Sequence, residues 1–391
     1  MSDSLHPDIP AIDQNVFSAL QSLKELPKIQ KALDIALKQT DQAMTEQVEI
    51  CEIPSPTFHE EKRAEEIARR MKAYGLTDVT IDAIGNVVGV RKGSGHDPVL
   101  VIDAHMDTVF PEGTDVTVRR EGDTYYAPGI GDNTSGVRAL LQLIRCFNEA
   151  DIQTEGDIIF VGTVGEEGNG DIRGAKFICN GDRHIDGYIA IDSFTAGVVV
   201  MGGVGCHRWR VGISGPGGHS FMDFGKIPSA IHAMCHAGHL IDQLTPPSEP
   251  YTTFNIGTIK GGTSVNTIAP SCEVDVDIRS ISNEELLKLE AQIFQAFEDG
   301  VAEENKRWGI TDPEKMLKLT KTQIGDRPAG ARPDDCPVIQ SALCAQKLLG
   351  IELTQFCPSA TDANAPISRN IPSACLGSGG LSEKFHSLDE Y

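Results

Sequence analysis

Apolar residues fall along this chain in short runs that stop at acidic or imidazole side chains. Val99 to Ala104 is one such run and ends in His105-Met106-Asp107. Ile158 to Val161 reads as a second buried strand, delivering the adjacent Glu166 and Glu167 into a glycine-rich loop. A third, Gly187 to Ile191, ends on Asp192. A helical pattern from Val137 to Phe147 follows the loop Ala127 to Gly136, which puts Asp132 where a glycine-rich loop meets a helix N-terminus. Strands alternating with helices predict an α/β sheet, and open sheets of this kind place their ligands at strand ends.

Residues 1 to 45 carry a helical pattern (Val16, Leu20, Leu23, Ile29, Leu33, Leu37) and no candidate chemistry. A charged helix from Glu60 to Ala73 closes at Gly75, and Val79 to Val90 reads as a hairpin turning at Gly85-Asn86. From Val204 to about Leu319 the character changes. Strands at Val204–Ile213, Thr252–Lys260, Cys272–Ser280 and Met316–Leu319 interleave with helices at Ile227–Leu244 and Glu284–Glu303. That β-α-β-β-α-β order is the split, ferredoxin-like arrangement. The first style returns with a helix from Val338 to Leu349 and strands near Leu353-Thr354-Gln355 and Ala374-Cys375-Leu376. The predicted division is a helical extension at 1–45, a main α/β domain at 46–202 and 321–391, and an inserted α+β domain at 203–320.

Size and charge narrow the function classes. The 391 residues suffice for more than one core, and 40% hydrophobic with 23% charged residues is ordinary globular composition. A formal charge of −22 argues against nucleic acid as a partner. No apolar run approaches a membrane span, and the N-terminus lacks the basic-then-apolar order of a signal peptide. Ten scattered cysteines without a CxxC pair read as reduced thiols, so a cytoplasmic protein without a membrane partner is expected. His232, His236 and His239 share one helix face, but without the glutamate of HExxH they read as a packed face.

Five candidate ligands come from strand ends or adjoining loops: His105, Asp132, Glu167, Asp192 and His386. They make two imidazole–carboxylate sets sharing one carboxylate, and such sets hold two ions ~3.5–4 Å apart. Nitrogen and oxygen donors without clustered thiolates suit zinc, cobalt or manganese. Glu166 is then left to take a proton from water and pass it to a leaving amine. In the insert, His219, Asn266 and Arg279 are each able to steady an oxyanion or a carboxylate.

The motifs HMDTV, GIGDN, GTVGEEGNGD, IDS, GPGGHS and HSLDEY resemble the dizinc exopeptidases. That family includes peptidase T, glutamate carboxypeptidase, aminoacylase and succinyl-diaminopimelate desuccinylase. The resemblance implies a mixed-sheet catalytic domain sandwiched by helices, zinc exopeptidase-like, with the insert as lid and dimerisation domain. It implies zinc ligands His105, Asp132 (bridging), Glu167, Asp192 and His386, with Asp107 orienting His105 and Glu166 as general base. His219 would polarise the scissile carbonyl, often in the partner's site of a homodimer, and Asn266 and Arg279 would hold substrate. The bond from the bridging aspartate to the next residue, here Asn133, is typically cis in the family. Thr361-Asp362-Ala-Asn364 before Asn370-Ile-Pro resembles the peptidase T branch and adds Thr361 and Asp362 as substrate-binding candidates.

The implied activity is zinc-dependent hydrolysis of a peptide bond in short peptides. N-acyl amino-acid deacylation or carboxypeptidase action is the alternative within the family. A catalytically silent relative that only binds metal or peptide is the alternative outside it. Family members continue through another helix after the last motif. Either this sequence is a piece of a longer one, or His386 sits on a frayed end.

Overall fold

The computed structural model describes Leu5 and residues 7–391; the remainder of the predicted 1–45 extension lies outside the described residues. The chain divides into two units, Leu5–Gly203 with Gly330–Tyr391, and Val204–Ala329. All ten cysteines are free.

The larger unit is built on a nine-stranded mixed sheet. Four neighbouring strands at its centre, Ile158–Thr163, Leu100–His105, Gly187–Asp192 and Ser373–Gly377, run parallel. The sheet continues on one side through Val87–Arg91 and Asp78–Ile81, and on the other through Val198–Gly203, which also pairs with Gln355–Ser359 and Gly330–Ala331. Ile102, Ala104 and Phe160 pack against Ile67, Met71, Leu140 and Ile144 of the helices Glu61–Ala73 and Thr134–Glu149. Val101, Val161 and Tyr188 fill the opposite face with Ile178 and Ile367 from the helices Arg173–Asn180 and Asn364–Ser368. Burial on both faces is why these strands read as continuous apolar runs. Because the four strands are parallel, their C-terminal ends share one edge, with neighbours about 4.8 Å apart. His105, the Glu166 loop, Asp192 and the segment leading to His386 therefore emerge side by side.

Three helices at the start of the chain, Gln14–Lys24, Pro27–Lys38 and Thr40–Cys51, belong to this unit. Glu46 on the third is 3% exposed and pairs with Arg70 and Arg145 at 3.2 and 3.1 Å.

The smaller unit is a four-stranded antiparallel sheet in the order Thr252–Gly261, Ser271–Ser280, Gly205–Ser214, Lys318–Arg327. Helices Ala230–Asp242 and Asn283–Arg307 cover one face. Along Ser271–Ser280 burial alternates: Val274, Val276 and Ile278 face the helices, and the charged residues between them line the other side. The last strand extends beyond the predicted Met316–Leu319, so the unit closes at Ala329 rather than near 320. Being an edge strand with mostly exposed side chains, it carries no apolar run to mark its length. Among the described residues, no helix is long and apolar enough to cross a membrane.

Candidate metal centre

His105 ends its strand and is 3% exposed. Its Nδ1 lies 3.1 Å from the Asp107 backbone carbonyl and 3.5 Å from Asp107 Oδ1. Both oxygens are acceptors, so the neutral ring carries its proton on Nδ1. The lone pair is then on Nε2, 3.2 Å from Asp132 Oδ1 and 3.8 Å from Asp192 Oδ1. Asp132 turns its other oxygen to His386, whose Nε2 is 3.3 Å from Oδ2 and 3.2 Å from Glu167 Oε1. One carboxylate thus stands between two imidazoles. Donor atoms from His105, Asp132 and Asp192 lie within 4.8 Å of one another, as do those from Asp132, Glu167 and His386 and those from His105, Glu166 and Glu167.

The supports of this cluster are equally specific. The carboxylate of fully buried Asp107 accepts from the Glu166 N–H at 2.9 Å, the Glu167 N–H at 3.0 Å and Thr57 Oγ1 at 2.9 Å. Burial works against its charge, but His105 and the two backbone N–H groups hold the carboxyl below the usual range. Gly165 and Gly168 flank the two glutamates at φ +64° and +50°, a backbone that favours glycine. The Asp132–Asn133 peptide is cis, and Asn133 caps the following helix by accepting from the Gly136 N–H at 3.0 Å.

His386 sits on a closed loop rather than a frayed end. Glu383 and Tyr391 exchange two backbone hydrogen bonds, at 3.1 and 3.3 Å, and the Tyr391 ring lies 5.6 Å from that of Tyr126. Glu390, in the same loop, belongs to the HSLDEY motif, which by itself gives this residue no role. Its buried carboxylate accepts from the N–H groups of Gly129, Gly131 and Asp132.

Charge at the centre is unbalanced toward the acids. Burial, with Asp132 close by, pushes Glu167 up, and hydrogen bonds to Asp132 and Glu167 push His386 up to about 10. Three crowded carboxylates facing two imidazoles call for positive charge between them. Divalent cations supply it, and the mixed nitrogen and oxygen donors, with Asp132 positioned to be shared, fit two zinc-type ions.

The other candidates divide. In the smaller unit, His219 lies on a two-residue strand paired with Thr267–Ile268, and the Ser220 N–H donates to the Asn266 carbonyl at 3.0 Å, so His219 and Asn266 are neighbours. Asn266 precedes the strand Ser271–Ser280, whereas Arg279 is near its far end, roughly 25 Å along at about 3.4 Å per residue. Arg279 Nε is paired with Asp277 at 2.7 Å. Thr361 and Asp362 are turned into the fold. They are 1% and 4% exposed, and Asp362 Oδ2 accepts from Thr163 Oγ1 at 2.6 Å, bracing the strand that leads to the glutamates. Their run enters the short helix Asn364–Ser368 and turns these side chains inward. His232 and His236 lie near Glu304, at 3.5 and 3.8 Å, outside the three-donor groups found among the described residues.

Two family models match the chain: peptidase family M28 over residues 86–200 and the peptidase dimerisation domain over residues 202–305. The uncharacterized protein YqjE of Bacillus subtilis is 27% identical over 371 residues, 89% of this chain and 92% of that protein. A tripeptidase structure from Staphylococcus aureus has a TM-score of 0.72 at 25% identity, covering 90% of this chain and 92% of its own. Aminopeptidase PepT from Bacillus cereus shares the fold, with a TM-score of 0.69 at 23% identity and coverage of 90% and 92%. The architecture is therefore zinc exopeptidase-like, a mixed sheet with helices plus a separate antiparallel domain.

Proposed function

Since the chain belongs to the M20/M28 dizinc peptidase family and is a metal-dependent hydrolase, we propose that it cleaves a peptide bond in short peptides. The observation that carries this reading is Asp132 held between His105 and His386, beside Glu166 and Glu167. The likeness to the S. aureus tripeptidase supports the substrate class.

In this reading His105, Asp132 and Asp192 would hold one divalent cation, and Asp132, Glu167 and His386 the other, most simply zinc. When bound, such ions supply Lewis acidity to a water and to the scissile carbonyl. Glu166 takes the proton from the attacking water and delivers it to the leaving amine nitrogen. Asp107 keeps the His105 proton on Nδ1 and, through two backbone N–H bonds, fixes the start of both glutamates.

His219 Nδ1 accepts from the Phe221 N–H at 3.2 Å, which leaves the neutral ring's proton on Nε2 as a donor. That donor suits a carbonyl oxygen gathering negative charge. The reading places the partner's His219 at the active site, in a homodimer formed through the Val204–Ala329 unit. Arg279 then serves a different active site from the Asn266 of its own chain, because the two stand too far apart for one short peptide.

The test is turnover of free-amine di- and tripeptides against N-acetyl and N-succinyl amino acids, after chelator dialysis and readdition of zinc, cobalt or manganese. Metal-restored cleavage of the free-amine peptides is expected. Restoration on N-acyl substrates alone would move the activity to deacylation.

A further inference from the structure

We propose that Glu390 is a positioning residue of the metal centre: its carboxylate fixes the loop carrying Asp132 and ties it to the segment carrying His386. The inference rests on the metal-centre reading above. Glu390 Oε1 accepts from the N–H groups of Gly131 at 2.9 Å and Asp132 at 2.8 Å, and Oε2 accepts from Gly129 at 3.2 Å. Its backbone carbonyl accepts from the Ala127 N–H at 3.1 Å. Successive backbone N–H groups converging in this way form a cradle for an anion. The loop is shaped to admit this one. A Cβ built on Gly131 would lie 3.2 Å from Glu390 Oε1 and 2.9 Å from Ser382 Oγ.

The anchor acts on both sides of the centre. Through the Asp132 N–H it holds the residue whose two oxygens face His105 and His386. Through its own place in the closed 383–391 loop it holds the imidazole of His386, which lies four residues earlier. One side chain therefore governs the 3.3 Å approach of His386 to Asp132. A glutamine cannot replace it fully. Its amide has one acceptor oxygen, and its NH2 would face N–H donors.

The experiment loads the full chain with zinc and reads both affinities by competition with a chromophoric chelator, for wild type, E390Q and G131A, with thermal melts alongside. E390Q removes the charge, whereas G131A keeps the carboxylate and crowds both it and Ser382, so a folding failure in one leaves the other. The expected result is a loss of about 10- to 100-fold in the affinity of at least one of the two ions in each folded variant. A purely structural anchor would lower the melting temperature and leave both affinities unchanged, which overturns the inference alone. A wild type that binds no zinc overturns the metal-centre reading and this inference with it.

Discussion

His105 and Asp107 are locked together twice over: the ring's Nδ1 lies 3.1 Å from the Asp107 carbonyl and 3.5 Å from its carboxylate. The same carboxylate accepts from the backbone of Glu166 and Glu167, so one buried acid sets a ring tautomer and the position of two further acids. Replacing Asp107 with Ala should lower zinc affinity about 10- to 100-fold, since partners behind the ligands tune them to that extent. Chelator competition measures it. An unchanged affinity would mean that His105 is oriented without Asp107.

The proposed role of the partner's His219 at the active site has a direct test by subunit mixing. H219A and E166A should each be inactive as homodimers. Unfolded, mixed and refolded together, they should recover about a quarter of wild-type turnover, from mixed dimers with one intact site. No recovery, with mixed dimers present, would place His219 in its own chain's site or outside catalysis.

His207 in the smaller unit gives a pH signature separate from the metal centre. Its Nε2 is 3.2 Å from Asp326 and its Nδ1 is 2.6 Å from Glu290. The hydrogen bond to Asp326, opposed by burial and aided by Glu290, raises the imidazole above its ordinary 6.5. A raised folded value means the stabilisation is fully present below the unfolded pKa of about 6.5 and is lost as pH rises through the folded one. The melting-temperature gap between wild type and H207N should therefore narrow with rising pH. A gap independent of pH would contradict the ion pairing.

The N-terminal helices contribute to the core through Glu46. This carboxylate pairs with Arg70 and Arg145 and accepts from Tyr74, all from elements beyond the third helix. Its loss strands buried guanidinium groups, although Arg70 keeps Glu49 and Glu66. E46A should cost about 3 kcal/mol, the low end for breaking a buried pair. Urea unfolding measures it, and a loss below about 1 kcal/mol would show that solvent replaces the pairing.

What the sequence displays follows from which interactions leave a side-chain pattern. Strands buried on both faces appear as apolar runs, and the acids and imidazoles that end them stand out, so the parallel core and the residues gathered at its edge were legible. Lys318–Arg327 was not, because an exposed edge strand needs no apolar residues. Glu390 stands within the HSLDEY motif, but its role was not legible, because its partners are backbone N–H groups, which almost any residue supplies. The likeness of the Thr361-Asp362 run to the peptidase T branch carries no information on burial, and in the fold Asp362 accepts from Thr163 as a brace.

Glu166 is proposed to move the proton while its neighbours hold the ions. Zinc content and tripeptide turnover, measured side by side for wild type and E166A, test it most directly. Two zinc ions per chain are expected in both proteins, with turnover in E166A lower by about 10²- to 10⁴-fold, the usual contribution of a general acid–base. Turnover within a few-fold of wild type in zinc-loaded E166A would contradict it.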